Sequence, residues 1–235
     1  MNILCLCPTY GRRKDLLENM LACFISQTHK DKSLIVYDDS GILNECVCDL
    51  ENVYIIATSK RAESLSNKYN EMVDFANKNN IEYDAVAMFD DDDVYLPKYL
   101  EAHAKTMEEN MWSKPSKIIS AYLNPPIIED ARGRFYGSLA LTKYMLDLCE
   151  WPRIKNIEYD QIFMGMLNKI SQPGDTLKHF SPQYIYRWGS SRSNHCSGIA
   201  GDSNWYENYK GDSKESILEL KAVFDSDSNR LMDIV

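Results

Sequence analysis

The sequence has no long hydrophobic run. None of its apolar segments approaches the ~18 residues that a membrane-spanning helix needs. The first such segment, residues 3–7, is also too short for the apolar core of a signal peptide. We therefore expect a soluble, cytoplasmic protein without stable membrane insertion.

Basic residues are in deficit. Lys and Arg number 26 against 35 Asp and Glu, which gives a formal net charge of −9. Binding to nucleic acids or anionic membranes gains its affinity from a basic surface. The composition therefore argues against nucleic acid as a partner.

The cysteines lack the spacing of a metal or disulfide framework. They number seven, and the closest pairs, Cys5/Cys7 and Cys46/Cys48, are each separated by a single residue. Zinc knuckles separate their cysteines by about two to four residues, and small secreted scaffolds are denser in cysteine. Reduced thiols are expected, with Cys5 and Cys7 as alternate residues of a buried strand.

The first half of the chain alternates apolar runs with amphipathic segments. Strands are predicted at Asn2–Cys7, Ser33–Tyr37, Val53–Ala57 and Ala85–Phe89, and helices from about 12 to 27, from 63 to 78 and from 97 to 110. This order predicts an α/β fold with a mostly parallel central sheet flanked by helices. The length and the 44% hydrophobic content suit one compact domain.

The second half is less regular. Strands are predicted at 117–123 and 184–188, helices within 138–148 and over 157–170, and a turn between short antiparallel strands at 132–137. A smaller antiparallel part is therefore expected here. We divide the chain into a nucleotide-sugar-binding half (1–110), an acceptor-binding half of the same domain (111–212) and a helical tail (213–235).

Four consecutive aspartates, Asp90 to Asp93, follow the strand predicted at 85–89 and precede Pro97. Adjacent carboxylates repel one another, so a short turn that contains four of them favours a counter-charge. Mg²⁺ and Mn²⁺ take oxygen ligands and share them with substrate phosphates. A solvated acidic loop or a helix N-terminus remains the alternative.

Polar groups follow three of the predicted strands. They are Pro8-Thr9-Tyr10 after the first strand, Asp38-Asp39 after the second and the aspartate cluster after the fourth. In a parallel sheet these ends lie on one edge, where open α/β sheets bind ligands. A base and ribose could rest on the first two, with a metal at the third holding the phosphates. Arg13 belongs to a basic first helical turn, where positive charge is unfavourable next to the positive end of the helix dipole. Either a bound anion offsets this cost or the side chain is solvated.

These segments together resemble the family 2 glycosyltransferases of the GT-A (Rossmann-like) fold. The resemblance rests on five segments, namely 8–10, 26–28, 37–41, 66–70 and 89–97. It implies a single-domain sugar transferase of the inverting type. Such an enzyme moves a sugar, a hexose or a related one, from a nucleotide-linked donor to a hydroxyl acceptor with Mn²⁺ or Mg²⁺.

The resemblance also implies roles for single residues. Thr9 and Tyr10 would contact the donor's base, which makes uridine the expected nucleoside, and Asp39 would bond the base or ribose. The further donor-binding residues are Pro8, Arg13, Asp38, Asn67, Asp90 and Asp91. The metal ligands are Asp90 and Asp92, the outer members of the Asp-x-Asp motif, with Asp93 and His195; Asp93 alternatively caps the following helix.

The general base is expected at the start of the helix predicted at 157–170. Glu158 and Asp160 resemble the family's acidic pair there, and Tyr159 separates them, so either acid can be the base. Trp151 and Trp188 could stack on a sugar or belong to the core.

The acceptor is a glycan or another hydroxyl compound, and a modified nucleic-acid base stays open. A nucleotidyltransferase is disfavoured because only Gly11 follows the first strand, where a glycine-rich phosphate loop would stand. A non-catalytic nucleotide- or sugar-binding module is the remaining alternative.

Overall fold

The computed structural model describes residues 1–9, 14–45, 50–120, 126–154 and 159–187. Several predictions fall outside these ranges, namely those for Tyr10, Arg13, Glu158, Trp188, His195 and the helix from 213.

The described residues form helices and strands in alternation. The strands are β1 (Ile3–Thr9), β2 (Lys32–Asp38), β3 (Val53–Ala57), β4 (Ala85–Met88), β5 (Val94–Tyr95), β6 (Trp112–Lys114), β7 (Lys117–Ser120), β8 (Ile127–Asp130), β9 (Ala140–Thr142), β10 (Gly174–Asp175) and β11 (Tyr184–Tyr186). The α-helices are α1 (Lys14–Ser26), α2 (Leu65–Lys78), α3 (Tyr99–Met107), α4 (Lys143–Leu148) and α5 (Tyr159–Ile170). Short 3₁₀ turns occur at Ile42–Glu45, Tyr136–Ser138 and Thr176–Lys178.

The main sheet has the strand order β10-β6-β9-β4-β1-β2-β3. Strands β4, β1, β2 and β3 run parallel, which confirms the predicted mostly parallel centre. Strand β9 is antiparallel to both β4 and β6. The central position of β1 places the end of β4 on one side of it and the end of β2 on the other.

A second, smaller sheet has the order β5-β11-β7-β8. The β5–β11 and β7–β8 pairs are antiparallel, whereas β11 and β7 are parallel. Because β5 directly follows the aspartates, this sheet brings β11 from the end of the described chain to the aspartate cluster.

The main sheet is covered on both faces, which explains the continuous apolar runs of its central strands. Cys5 and Cys7 pack with Met20 of α1 on one face. Leu4 and Leu6 pack on the other face with the α2 side. As expected, Cys5 and Cys7 are buried alternate residues of β1, and neither forms a disulfide.

Two features differ from the prediction. The helix predicted within 138–148 is α4, and the strand β9, which was not predicted, precedes it. A three-residue apolar strand has no periodicity that distinguishes it from a helical turn. Helix α3 begins at Tyr99, two residues after Pro97. Within the described residues, no helix combines the length and apolar character that crossing a membrane requires.

Candidate functional site

The ends of β1, β2 and β4 meet at one edge of the main sheet, as the strand order predicts. Thr9 at the end of β1 donates a hydrogen bond from Oγ1 to Oδ2 of the buried Asp91, 2.6 Å away. Asp91 therefore ties the aspartate cluster to β1 rather than pointing into solvent. The two residues are 82 positions apart in the sequence.

Tyrosine hydroxyl groups hold the aspartate cluster. Tyr69 of α2 donates to Asp90 Oδ1 over 2.8 Å, and the Asp90 backbone N–H donates to Tyr95 Oη over 2.6 Å. Tyr184 of β11 donates its hydroxyl hydrogen to Asp93 Oδ2. Tyr69 and Tyr184 therefore fix two of the carboxylates from α2 and β11, and Tyr95 fixes the Asp90 backbone from β5.

Gly137 lies directly beneath these carboxylates. A Cβ atom built on it would lie 2.7 Å from Asp90 Oδ2, 3.0 Å from the Tyr184 hydroxyl and 3.3 Å from Asp93 Oδ2. The Asp90 and Asp93 carboxylates therefore converge over a backbone position that has room only for glycine.

Asp93 is buried next to two other carboxylates. Burial raises the pKa of Asp93 well above its usual range, and the Asp92 and Asp90 carboxylates raise it further. The Arg187 backbone N–H donates to Asp93 Oδ1 over 3.2 Å, and Arg187 Nε donates to the Asp92 carbonyl oxygen over 3.1 Å. Asp93 thus links the cluster to the segment that follows β11.

The residues present fit a divalent metal that shares its coordination with a substrate. Among the described residues, no group of three or more His, Cys, Asp and Glu side chains is arranged to hold a metal ion. Mg²⁺ usually needs only one or two protein carboxylates, because substrate phosphates and water supply the rest. Asp90 and Asp92 are half-buried at the strand end and match that need.

Asp39 after β2 lies in a cationic environment. Its Oδ1 accepts hydrogen bonds from Lys68 Nζ at 2.7 Å and from Arg61 Nη1 at 2.8 Å, and its Oδ2 accepts from the Ala62 N–H at 3.1 Å. Lys68 is buried and Arg61 exposed. Burial lowers the pKa of Lys68, and the neighbouring Asp39 carboxylate partly offsets that effect.

Asp38 serves the backbone turn after β2. Its Oδ1 accepts from the N–H and the hydroxyl of Ser40 at 2.9 and 2.6 Å, and its Oδ2 accepts from the Leu43 N–H at 3.0 Å. Such bonds are typical of an aspartate that closes a turn. Pro8 is likewise buried, within β1. Both residues shape the edge on which Thr9 and Asp39 lie.

Asp160 stands in the first turn of α5, where its Oδ1 accepts from the Gln161 N–H at 2.7 Å. Burial raises the pKa of the Tyr159 hydroxyl well above its usual value, and the nearby Asp90 and Asp160 carboxylates raise it further. Tyr159, next to Asp160 in the chain, contacts Tyr136, whose ring contacts Tyr69, the donor to Asp90. The other acid of the pair, Glu158, lies outside the described residues.

An aromatic cluster connects α5 with the aspartates. Tyr69 stacks on Trp151 with ring centroids 5.3 Å apart, and Tyr136 contacts Tyr69 at 5.9 Å and Tyr159 at 5.5 Å. The Trp151 indole N–H donates to the Tyr136 hydroxyl. Trp151 is almost fully buried, so it belongs to the core and supports the site from beneath.

Asn67 of α2 carries an acceptor without a partner. Its Oδ1 is buried and finds no hydrogen-bond donor among the described residues. Buried polar atoms are normally satisfied, and this amide stands on the helix that also supplies Lys68 and Tyr69.

Several residues of this site were not predicted from the sequence. Lys68 and Tyr69 belong to the segment 66–70 of the resemblance, which assigns them no role. Gly137 lies in the predicted turn 132–137, and Tyr184 and Arg187 lie in the predicted strand 184–188. The clearest available signal was the position of Gly137 in a turn between apolar segments.

A cavity elsewhere in the molecule is unrelated to this site. It has a volume of about 580 Å³ and is lined by residues at the starts of β1, β2 and β3, among them Asn2, Ser33 and Asn52. It therefore opens at the amino edge of the parallel strands, opposite the aspartates.

Comparison with known proteins links the sequence to a family and the fold to solved structures. Residues 5–112 match the sequence model of glycosyl transferase family 2. No curated protein matches the sequence. The crystal structure of S. aureus TarS 1–349 matches with a TM-score of 0.59 and 14% identity, covering 80% of this chain and 60% of that chain.

Two ligand complexes of TarS 1–349 match similarly. The complex with UDP-GlcNAc has a TM-score of 0.59 and the complex with UDP one of 0.60, each at 14% identity and 80% coverage of this chain. The match covers 58% and 60% of the length of these two TarS chains, so this chain spans less than two thirds of each. The likeness establishes a GT-A-like fold.

Proposed function

Residues 5–112 belong to glycosyl transferase family 2, and from this we infer that the chain transfers a sugar from a nucleotide-linked donor to a hydroxyl acceptor. The reaction is metal-dependent and inverts the anomeric centre. The donor is bound by the half formed by residues 1–110 and the acceptor by residues 111–212.

One observation carries this proposal. The aspartate cluster, Thr9 and Asp39 lie at one sheet edge and are tied together by direct hydrogen bonds, Thr9 to Asp91 and Lys68 to both Thr9 and Asp39. A nucleotide needs such an arrangement, because its base and its diphosphate must be held at the same time. The carboxyl edge of parallel strands is the usual place for that task.

Each part of the nucleotide-sugar donor has side chains of suitable chemistry at the site. Asp39 and Thr9 bind the nucleoside, and the UDP complexes of TarS support uridine as the base. The unpartnered Asn67 Oδ1 accepts a hydrogen bond from the donor. Asp90 and Asp92 would hold the metal, which when bound would supply Lewis-acid stabilisation of the leaving diphosphate. Asp91 and Asp93 position these two carboxylates from below.

The acceptor side supplies the base. Asp160 or Glu158 removes the proton from the acceptor hydroxyl as that oxygen attacks the anomeric carbon, which is general base catalysis. A carboxylate that takes the proton and does not attack the sugar gives inversion in a single displacement. The aromatic contacts from Tyr159 through Tyr136 to Tyr69, which donates to Asp90, support Asp160 in this role.

Thermal unfolding with nucleoside diphosphates tests the donor site. A ligand at 100 times its dissociation constant adds about 2.7 kcal/mol, which raises the Tm of a chain of this size by several degrees. We expect a rise with UDP and Mn²⁺ together that exceeds the sum of the separate effects. Asp92→Ala should abolish this synergy, whereas Asp74→Ala, which removes an exposed aspartate of α2, should retain it.

Turnover tests the base separately. Release of UDP from UDP-linked sugars should be lost in Asp160→Asn while the thermal shift with UDP and Mn²⁺ persists. Unchanged turnover would move the role of base to Glu158, to be tested by Glu158→Gln. No thermal shift with any nucleoside diphosphate and metal would contradict the transferase proposal, and a shift without turnover of any donor would favour a binding module.

A further inference from the structure

Lys68 spans the ends of two strands. It lies in the first turn of α2, is only 6% exposed, and donates from Nζ to Asp39 Oδ1 at 2.7 Å and to the Thr9 carbonyl oxygen at 2.9 Å. These are the two residues that bind the base in the proposed function. A single buried cation therefore sets the distance and direction between them.

The hydrogen bonds that Asp39 already accepts determine which of its oxygen atoms can accept another. Oδ1 accepts from both Lys68 and Arg61, and Oδ2 accepts from the Ala62 N–H. A carboxylate has about four lone-pair positions and, when ionised, no hydrogen to donate. The donors of the described residues thus occupy Oδ1 and leave one acceptor position on Oδ2.

An acceptor of this kind discriminates between bases. Uracil, thymine and guanine carry a ring N–H on the edge used for pairing, whereas cytosine and adenine carry a ring nitrogen lone pair there. A carboxylate oxygen fixed opposite that ring position accepts a hydrogen bond from the first class and meets a lone pair in the second, whose donors on this edge are the exocyclic amino groups beside it. Sites built around a specific hydrogen bond reject ligands that lack it, because their buried groups then stay unpaired.

We propose that Lys68 is the positioning residue for base selectivity: by fixing Asp39 as an acceptor beside Thr9, it restricts the donor to nucleotides whose base carries a ring N–H. This inference rests on the proposed function. Lys68 acts through Asp39 and Thr9 and does not itself touch the base.

Calorimetric titration with UDP and CDP in excess MnCl₂ tests the proposal. The wild-type protein should bind UDP at least about tenfold more tightly than CDP. Lys68→Met keeps the length of the side chain but removes its hydrogen-bond donors, and should reduce the UDP-to-CDP affinity ratio about fivefold or more. Lys105→Met, which removes a half-exposed lysine of α3, should keep the wild-type ratio.

The ratio separates positioning from a structural role. If Lys68→Met weakens both nucleotides equally, or leaves the ratio unchanged, the proposal is wrong. Lys68→Arg, which keeps the charge and the donors, should restore the ratio at least in part. Should Lys68→Met fail to fold, Lys68→Gln takes its place under the same criterion, since its amide retains only a neutral donor.

The wild-type result alone distinguishes the two levels of inference. Binding of UDP and CDP with equal affinity contradicts base selection by Lys68 but leaves the transferase function intact. Binding of neither nucleotide contradicts the proposed function, and the inference about Lys68 with it.

Discussion

Gly137 is the residue on which the geometry of the acidic site depends most directly. In Gly137→Ala the new methyl group would meet Asp90 Oδ2 at 2.7 Å. That atom ends a side chain and can move, so we expect the protein to fold with a stability loss of about 1–3 kcal/mol. The displaced carboxylate should weaken UDP binding in the presence of Mn²⁺ at least about tenfold, measured by titration calorimetry.

Gly165 offers the matched control. It lies within α5, and a Cβ atom there would have no heavy atom within 4 Å. Gly165→Ala should therefore raise the free energy of unfolding by about 0.5–1 kcal/mol and leave UDP binding unchanged. Wild-type UDP affinity in Gly137→Ala would show that Asp90 does not hold the metal.

For single residues, the sequence was sufficient to identify the aspartates of the site but not the side chains that donate hydrogen bonds to them. Asp39 and Asp90 were predictable because each follows an apolar run that reads as a parallel strand. Tyr184 was not, because it reaches Asp93 across 91 positions of sequence and only the pairing of β11 with β5 brings the two together. Lys68 is one of two lysines of the amphipathic helix α2, and nothing in the sequence indicates that it is the buried one.

At the scale of the elements, Gln27 joins three segments. Its Nε2 donates to the carbonyl oxygens of Tyr95 and Leu96 at 3.2 and 2.9 Å, and its Oε1 accepts from the Leu100 N–H at 3.0 Å. The end of α1 thereby anchors both β5 and the start of α3. Gln27→Ala leaves these buried groups unsatisfied and should lower the free energy of unfolding by about 2–3 kcal/mol.

Urea denaturation measures this loss, and Gln172→Ala is the control. Gln172 is exposed, so its removal should change stability by less than about 0.5 kcal/mol. Because β5 follows the aspartates, Gln27→Ala should also weaken binding of UDP with Mn²⁺. Equal stability of the two variants would show that Gln27 does not anchor β5 and the start of α3.

The elements themselves were predictable where they are long. The periodicity of α2 and the apolar runs of β1 to β4 gave their types and nearly their limits. Strands β5, β6, β9 and β10 have two or three residues each, and they are strands only because a neighbour offers a free backbone edge. Local sequence contains no information on such an edge. The strand conformation of these segments therefore depends on tertiary pairing and could not be predicted.

For the whole molecule, the polarity of the sheet explains why so few local features specify the site. Once β4, β1 and β2 run parallel and adjacent, the residues that follow them must share an edge. The second sheet then closes over that edge, because β5 continues from the aspartates and pairs with β11. The first relation was predicted from alternation of strands and helices, whereas the second depends on contacts between distant parts of the chain.

The site's tyrosines also give the whole protein a characteristic response to alkaline pH. Burial raises the pKa of six of them well above its usual value, namely Tyr159 and the five buried tyrosines Tyr69, Tyr95, Tyr99, Tyr136 and Tyr184. In the unfolded chain they ionise near pH ~10. Above that pH the native state holds protons that the unfolded state has released, so stability falls as pH rises. Lys32, Lys68 and Lys114, whose pKa values burial lowers, act in the opposite direction but are fewer than the tyrosines.

Urea midpoints at increasing pH, with absorbance of tyrosinate followed in parallel, test this expectation. The midpoint should fall steeply above pH ~10, and the five buried tyrosines should ionise only as the protein unfolds. Tyr99→Phe should make the fall shallower, whereas Tyr144→Phe, at a side chain that is 64% exposed, should not. If all fifteen tyrosines ionise near pH ~10 while the protein stays folded, the hydroxyl groups around Asp90 and Asp93 are accessible to water. In that case the tyrosines cannot hold the carboxylates in the way described.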